Sequence, residues 1–335
     1  MSVDVRGPVA DLGSVDVLVV GAGQAGLAAA RAAQLAGLSC LVLDARDEVG
    51  GSWPDSYESL RLFSPARFSA LPDLPMPGPG GRYPTRDEMT GYLRAYAERF
   101  GVPVRTRTRV VSVAREGARF AVTAGAGQVL AARSLVAASG GFGRPYQPTL
   151  PGATEFSGRL LHAATYRRPD PFAGRRVVVV GGGNSAVQVA VELAGLADVT
   201  LAVRRPLRLR SQRPLGVDVH HWARWTGLDR LPVGARGMRA AGVLDDGRYA
   251  AAIAAGQPDG PQGPDADWWS GAADVLIVGY GGLRTHDTEC LAMPSPGISN
   301  GTPVGLPSPR RQEFLRHRRS GRIRAPWRCT CRMPP

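Results

Sequence analysis

Two glycine turns and the stretch between them hold the residues whose types and spacing could do chemistry. The first turn, Gly21-Ala22-Gly23-Gln24-Ala25-Gly26, follows the apolar run Val15-Asp16-Val17-Leu18-Val19-Val20 and precedes an Ala-rich segment, Leu27 to Leu38. A strand, a glycine turn and a helix in that order offer free amide N–H groups and a positive dipole end to an anion. Gly21 permits the tight turn, Gly23 lets backbone approach a pyrophosphate, and Gly26 allows the helix to pack closely on the strand. A second strand, Ser39 to Leu43, delivers Asp44 eighteen residues after Gly26, where a carboxylate accepts hydrogen bonds from a ribose diol. The spacing therefore reads as a full dinucleotide fingerprint.

The second turn, Gly181-Gly182-Gly183-Asn184-Ser185-Ala186, follows the strand Arg176 to Val180, and Ala186 is still small enough for close packing. The next strand, Asp198 to Val203, ends in Arg204-Arg205 where the first unit has an acid. A guanidinium pairs with a 2′-phosphate through two hydrogen bonds, whereas a carboxylate repels it, which favours NADPH over NADH. The plain alternative is two solvated loop arginines in an Arg-rich chain. Between the turns lies Glu155 to Tyr166, with Phe156, Gly158, His162 and Tyr166 at regular spacing. His162 reads either as a satisfied surface histidine or as a functional group between two nucleotide sites.

The elements around these turns follow from pattern. Residues 1–13 lack periodicity and read as a loose tail. Gly50-Gly51-Ser52-Trp53 brings two adjacent glycines shortly after Asp44, again a mark of backbone close to a ligand. Thr85 with Glu88 three residues on predicts a capped helix, and Met89, Leu93, Tyr96 and Phe100 have the spacing of its core face. Short strands at Thr106–Val113, Arg119–Thr123 and Gln128–Leu130 predict a meander. The chain returns through Ser134–Ala138 to Ser139-Gly140-Gly141. Residues Pro206 to Gln257 show no repeat or ligand cluster. His220, His221, Trp222 and Trp225 read equally as substrate-facing or as packing, and Gln257 to Asp267 reads as a Pro/Gly/Asp loop.

Composition narrows the class. Of 335 residues, 44% are hydrophobic and 21% charged, as in a globular protein. The net charge of +13 invites a nucleic-acid reading, but nine arginines and one acid, Glu313, fall between Arg310 and Arg332. That segment lacks an interleaved aromatic platform beyond Trp327, which argues against single-strand binding. Cys40, Cys290, Cys329 and Cys331 form no Cys-x-x-Cys pair and no metal-ligand spacing, so neither a dithiol centre nor a metal is expected. No apolar run approaches the ~18 residues of a membrane span. No signal peptide is read, and the expected location is cytoplasmic.

Taken together, the Gly21 to Gly26 turn, Asp44, the GG-x-W at Gly50 to Trp53, the meander and Ala138-Ser139-Gly140 in place of an A-T-G strand end resemble the FAD domain of two-dinucleotide flavoproteins. The GG-x-W looks like the flavin-containing monooxygenase and Baeyer–Villiger branch. Phe156-x-Gly158-x-x-x-His162-x-x-x-Tyr166 is similar to that group's fingerprint, F-x-G-x-x-x-H-x-x-x-W/Y, with the Tyr ending closer to the flavin-containing monooxygenases. Disulfide reductases of the same architecture need a redox cysteine pair, and none is present. The resemblance implies an α/β fold of two dinucleotide-binding (Rossmann-like) domains, the second inserted in the first, with a small β-meander in the FAD domain. It implies FAD held by Gly21, Gly23, Gln24, Ala25, Gly26, Asp44, Gly51, Ser52, Trp53, Val110, Ala138 and Gly140. NADPH would be held by Gly181, Gly183, Asn184, Ser185, Arg204 and Arg205, with His162 the candidate catalytic residue.

The expected domains are a tail at 1–13, an FAD domain at 14–150, an NADPH domain at 151–270, an incomplete return to the FAD domain at 271–305, and a basic tail at 306–335. Asp274 to Gly282 stands in the place of the family's second A-T-G-Y/F strand. Beyond it the sequence departs from the family: Pro294 to Pro309 is rich in Pro, Gly and Ser, Gly305-Leu306-Pro307 resembles a remnant, and an Arg run follows. Codons for His317 to Arg322 shifted by one base can encode Thr-Val-Gly-Ala-Asp-Ala, which resembles a segment near the end of similar bacterial proteins. The tail reads either as native or as the product of a reading-frame change.

The function implied is an NADPH-using flavin monooxygenase that inserts one oxygen of O2 into a sulfur, nitrogen or ketone substrate through a flavin hydroperoxide. The alternative is a catalytically defective or regulatory nucleotide-binding protein. Expected partners are a small-molecule substrate and O2, with a homodimer allowed for and neither nucleic acid nor membrane.

Overall fold

The computed structural model describes residues 11–125, 127–143, 145, 155–203, 206–231, 242–262 and 273–278. All of them belong to the first of two compact units, Met1–Glu289. Two parallel-cored sheets dominate, and each is built outward from the strand that precedes a glycine turn.

In the first, β1 (Asp11–Val20) leads into helix α1 (Gln24–Leu35), and the chain returns in β2 (Cys40–Leu43). Two helical stretches follow, the short α2 (Ala66–Ser69) and the longer α3 (Arg86–Arg99). Then come β3 (Val104–Arg105), β4 (Val110–Glu116), β5 (Arg119–Ala124) and β6 (Gln128–Ala137). The sheet order is β3-β2-β1-β6-β5-β4. β1 pairs in parallel with β2 and β6, placing Val19 beside both Val42 and Val136. Val17, Leu18 and Val19 are buried, the near-continuous apolar run of a strand covered on both faces.

The second sheet comprises β7 (Arg159–His162), β8 (Arg176–Val180), β9 (Asp198–Ala202), β12 (Asp259–Gln262) and β13 (Val275–Val278), in the order β12-β9-β8-β13-β7. Helix α4 (Asn184–Leu193) follows β8. A two-stranded sheet, β10 (Leu209–Ser211) with β11 (Val243–Asp245), and helices α5 (Val219–Thr226) and α6 (Arg248–Ala254) complete the described chain. The orders β3-β2-β1-β6 and β12-β9-β8-β13 are the same. In both, the glycine-turn strand is where the order reverses, the place where open α/β sheets bind ligands.

Several sequence expectations are corrected by this topology. The strand expected to begin at Val15 starts at Asp11, whose backbone pairs with Val129, so the tail ends earlier than residue 13. The meander's first strand begins at Val110, not Thr106, because Val104 and Arg105 pair in parallel with β2 instead. Its last strand and the returning strand are one element, β6, which binds β5 antiparallel along its first part and β1 in parallel along its length. The segment 257–267, read as a loop, contains β12, which pairs with β9.

Two further differences bear on the site. Val275–Val278, assigned with 271–305 to the first domain, completes the second sheet between β8 and β7, since all four residues are buried apolar and need cover on both faces. Any return to the first sheet would lie in 279–305, outside the described residues, as does the whole basic tail, native or frame-shifted. The segment 155–166, read as a connector, contributes the edge strand β7, with His162 beside Val278 at its carboxyl end. Among the described residues, no helix is long and apolar enough to cross a membrane.

Candidate functional site: a cavity between two dinucleotide turns

Local sterics make the first turn. Gly21 has φ +109, and a Cβ there would lie 2.3 Å from the Ala138 carbonyl oxygen at the end of β6. A Cβ on Gly26 would meet the Gly21 carbonyl oxygen at 1.8 Å, so α1 rides directly on the turn. The Gly50–Trp53 loop closes over it. A Cβ on Gly51 would come within 2.8 Å of the Gly23 Cα, the Gly50 N–H donates to the Ala22 carbonyl at 3.3 Å, and the Trp53 indole donates to Gln24 Oε1 at 3.3 Å. Asp44 is 7% exposed. Its Oδ2 accepts the Ala22 N–H at 2.6 Å and its Oδ1 accepts the Arg46 N–H at 2.8 Å.

The helix ends differ in a way that bears on ligands. The start of α3 is capped by its own side chains: Thr85 accepts from the Glu88 N–H at 3.2 Å, and Glu88 accepts from the Thr85 N–H at 2.7 Å. Such a box satisfies two of the free amides at a helix start. α1 and α4 begin instead at Gly23 and Gly183, with no side-chain cap. Their terminal amides and positive dipole ends are left to an external anion. A Cβ on Gly183 would meet nothing within 4 Å, and one on Gly23 would touch only the Gly51 Cα at 3.5 Å.

Both starts open into one cavity of about 810 Å³, within the size range of cofactor and ligand sites. Gln24 and Ala25 of α1, Ser52, Trp53, His162, and Asn184 and Ser185 of α4 all line it. Gly21, Gly23, Gly26, Gly51, Asp44 and Ala138 form the backbone cradle behind that wall, and Gly140 follows with φ +70. Gly181 has φ +139 and donates its N–H to the Ala202 carbonyl at 2.8 Å, closing the second turn onto β9. Val110 stands apart. It pairs with Ala124 and packs on the cluster of Leu18, Leu43 and Leu130, because it begins the outermost strand of the meander. Arg204 and Arg205 lie outside the described residues. Leu62, Phe63, Phe68, Leu71, Met89 and Phe142 add apolar lining to the cavity.

The 155–166 stretch explains its own spacing. A Cβ on Gly158 would meet the Phe156 ring at 2.4 Å and the Asp274 carbonyl oxygen at 2.6 Å, so only glycine lets Phe156 fold back beside β13. His162 Nδ1 accepts the Ala164 N–H at 3.0 Å, which places the proton of the neutral ring on Nε2. Tyr166 is buried in the core around the second sheet, and its hydroxyl donates to Glu192 Oε2 at 2.9 Å. Burial pushes that phenol well above its ordinary value, with the nearby Glu192 charge adding to the rise.

Sequence reasoning missed the residues that join the two sheets. Tyr57 is buried among core residues of the second sheet and donates to Gln188 on α4. A second junction surrounds Asp218, which caps α5 by accepting the His220 N–H at 2.9 Å. Asp218 also accepts from Gln212 Nε2 at 2.8 Å and from the Tyr83 hydroxyl, and lies 2.7 Å from His220 Nδ1. Burial works to raise the Asp218 carboxyl, but the hydrogen bonds from Tyr83, His220 and Gln212 hold it below the ordinary carboxylate range. His220 and His221 pack on Phe68, with ring centroids 5.7 and 4.9 Å away. The histidines therefore serve the junction. Among the described residues, no group of three or more His, Cys, Asp or Glu gathers as a metal site. Each junction pair is more than a hundred residues apart, so local pattern carries no sign of it.

Comparison with known proteins agrees with this geometry. The model of the pyridine nucleotide-disulphide oxidoreductase family matches residues 18–224, more than half of the chain. A flavin-containing monooxygenase from Stenotrophomonas maltophilia superposes with a TM-score of 0.68 at 32% identity, covering 82% of this chain and 80% of that one. A CzcO-like oxidoreductase of Geobacillus kaustophilus is 36% identical over 216 residues, 64% of this chain and 61% of that protein. The indole-3-pyruvate monooxygenase YUCCA1 of Oryza sativa subsp. japonica is 38% identical over 179 residues, 52% of this chain and 44% of that protein. The chain thus spans less than two thirds of the length of these two curated relatives.

Proposed function

Because the chain belongs to the pyridine nucleotide-disulphide oxidoreductase family, in its flavin-containing monooxygenase group, we propose an FAD- and NADPH-dependent enzyme that transfers one oxygen of O2 to a small organic substrate. Members of this group work with FAD and NADPH. The observation that carries the reading is the pair of uncapped helix starts, at Gly23 and Gly183, opening into one cavity with His162 on its wall. The residues fit the cofactors. Gly21, Gly23, Gly26 and Gly51 form a cradle that a Cβ would fill or strain, and Asp44 stands at the end of β2.

In this reading Gln24 and Ala25 present amides to the FAD pyrophosphate, with Asp44 at its ribose. Asn184 and Ser185 do the same for NADPH, with Arg204 and Arg205 at the 2′-phosphate. Bound FAD would supply the redox and oxygen chemistry, which leaves binding, orientation and water exclusion to the chain. Trp53 and the apolar residues lining the cavity would keep water from the reacting centre, and His162, fixed through Nδ1 to the backbone of Ala164, shapes the wall between the two sites. The substrate class is a sulfur or nitrogen nucleophile or a ketone, and the location is cytoplasmic.

The test is NADPH oxidation coupled to oxygen uptake, with an organic sulfide, an amine and a ketone as probes. Oxygenated product formed in proportion to NADPH consumed supports the reading. A flavin-loaded protein that consumes no NADPH with any of them contradicts it, and favours a nucleotide-binding protein without turnover.

A further inference from the structure

The five residues Trp53–Tyr57 join the starts of the two dinucleotide-binding helices. At one end the Trp53 indole donates to Gln24 Oε1 at 3.3 Å, on the first residue of α1. At the other, the Tyr57 hydroxyl donates to Gln188 Oε1, one turn into α4. The strap between them is braced. The Ser56 N–H donates to the Trp53 carbonyl at 3.1 Å, the Ser56 hydroxyl donates to the Ser52 carbonyl at 3.2 Å, and the Arg86 guanidinium reaches the Ser56 carbonyl. Tyr57 is 6% exposed, and its ring centroid lies 6.0 Å from that of Tyr166. Tyr166 in turn donates to Glu192, one helical turn beyond Gln188 on the same face. The Glu58 N–H adds a backbone bond to the Arg167 carbonyl at 2.8 Å. Two neighbouring phenols, Tyr57 and Tyr166, therefore grip a single face of α4.

We infer that Tyr57 and Gln188 are positioning residues that set the start of α4 against the start of α1, and through it the approach of NADPH to the flavin. The inference rests on the cofactor reading above. Hydride transfer moves two electrons and one proton from the nicotinamide to the flavin, leaving NADP+ and reduced flavin. Its rate is steep in geometry: a displacement of about 1 Å costs up to about 100-fold. Neither Tyr57 nor Gln188 has to touch the reacting atoms, since their effect runs through the helix they hold.

Tyr57→Phe in the full-length, FAD-loaded protein keeps the buried ring and removes only the hydroxyl. The limiting rate of anaerobic flavin reduction by NADPH is expected to fall about tenfold, with half-saturating NADPH changed by less than about twofold and FAD per chain unchanged. Gln188→Leu, which also removes the hydrogen bond between Gln188 and Tyr249, should give at least as large a loss, and the double variant no more than Gln188→Leu alone, because the Tyr57–Gln188 contact is already gone. A readout independent of turnover is amide hydrogen exchange, expected to quicken in Tyr57→Phe at Glu58 and at the hydrogen-bonded amides of Val187 and Gln188 in α4, with or without FAD. If the wild-type protein holds no FAD, or its flavin is not reduced by NADPH, the cofactor reading fails and the exchange measurement still decides the positioning claim. Unchanged exchange at those amides, additive losses in the double variant, or a wild-type reduction rate in Tyr57→Phe overturns it.

Discussion

The carboxylate of Asp44 accepts the amide N–H of Ala22 at 2.6 Å, across the glycine turn from the strand that delivers it. An acid at this place is expected to face a ribose. Here it also holds the turn from behind, with its second oxygen on the Arg46 N–H. The same side chain thus holds the shape of the glycine turn and stands at one end of it.

Asp44→Ala removes both roles at once. A hydrogen bond to a charged group is worth about 1.5–3 kcal/mol, so FAD affinity should fall by at least about tenfold while the fold survives. Flavin retained per chain after gel filtration, set beside far-UV circular dichroism, checks this. Full flavin retention in the Ala variant would mean that Asp44 is structural only.

The glycines divide into two kinds. Gly26→Ala puts a methyl 1.8 Å from the Gly21 carbonyl oxygen and 3.3 Å from Val19, a backbone clash that costs at least about 1–3 kcal/mol and lowers the melting temperature. Gly183→Ala meets nothing within 4 Å and should melt like the wild type. Its loss should appear only in NADPH binding, measured by titration of the oxidised protein with NADP+. Equal melting temperatures for the two variants would contradict the packing described for α1.

Acid stability should depend on Asp218. Its folded value lies below the ordinary one, so its contribution to stability is present above the unfolded value of about 3.9 and is lost as pH falls through the folded value. Below about pH 4 the wild type should therefore lose stability more steeply than Asp218→Asn, which has no carboxylate to protonate. Chemical denaturation at a series of pH values between about 3 and 6 reads both slopes, and parallel curves would count against the hydrogen-bonded carboxylate at this junction.

Coenzyme choice is expected to follow Arg204 and Arg205. Replacing both by Ala should weaken NADPH by about tenfold or more and leave NADH nearly unchanged, since a charge-assisted pair to phosphate is lost only with the former. Kinetics with each coenzyme give the ratio. An unaltered ratio would make the pair ordinary solvated arginines.

Much of this architecture is legible in the sequence because its causes are local. The apolar run before Gly21, the Thr85–Glu88 box and the Gly181 turn each state their own structure, and Gln24, Ser52, Trp53, His162 and Asn184 do reach one cavity. What is not legible depends on distant partners. Val275–Val278 reads as a buried strand, but its neighbours, β7 and β8, are fixed only by the fold. Tyr57 looks like any apolar-facing aromatic until α4 brings Gln188 to it from 131 residues away. Resemblance alone links Val110 to the cofactor; in the fold it begins the outermost meander strand and packs on the cluster of Leu18, Leu43 and Leu130.

The most direct test is the visible spectrum of the purified protein under anaerobic conditions, before and after NADPH. The account predicts a yellow protein with FAD absorbance that bleaches on addition of NADPH, and more slowly with NADH. A folded protein that carries no flavin after supply of FAD, or one whose flavin band stays unchanged with NADPH, would contradict it.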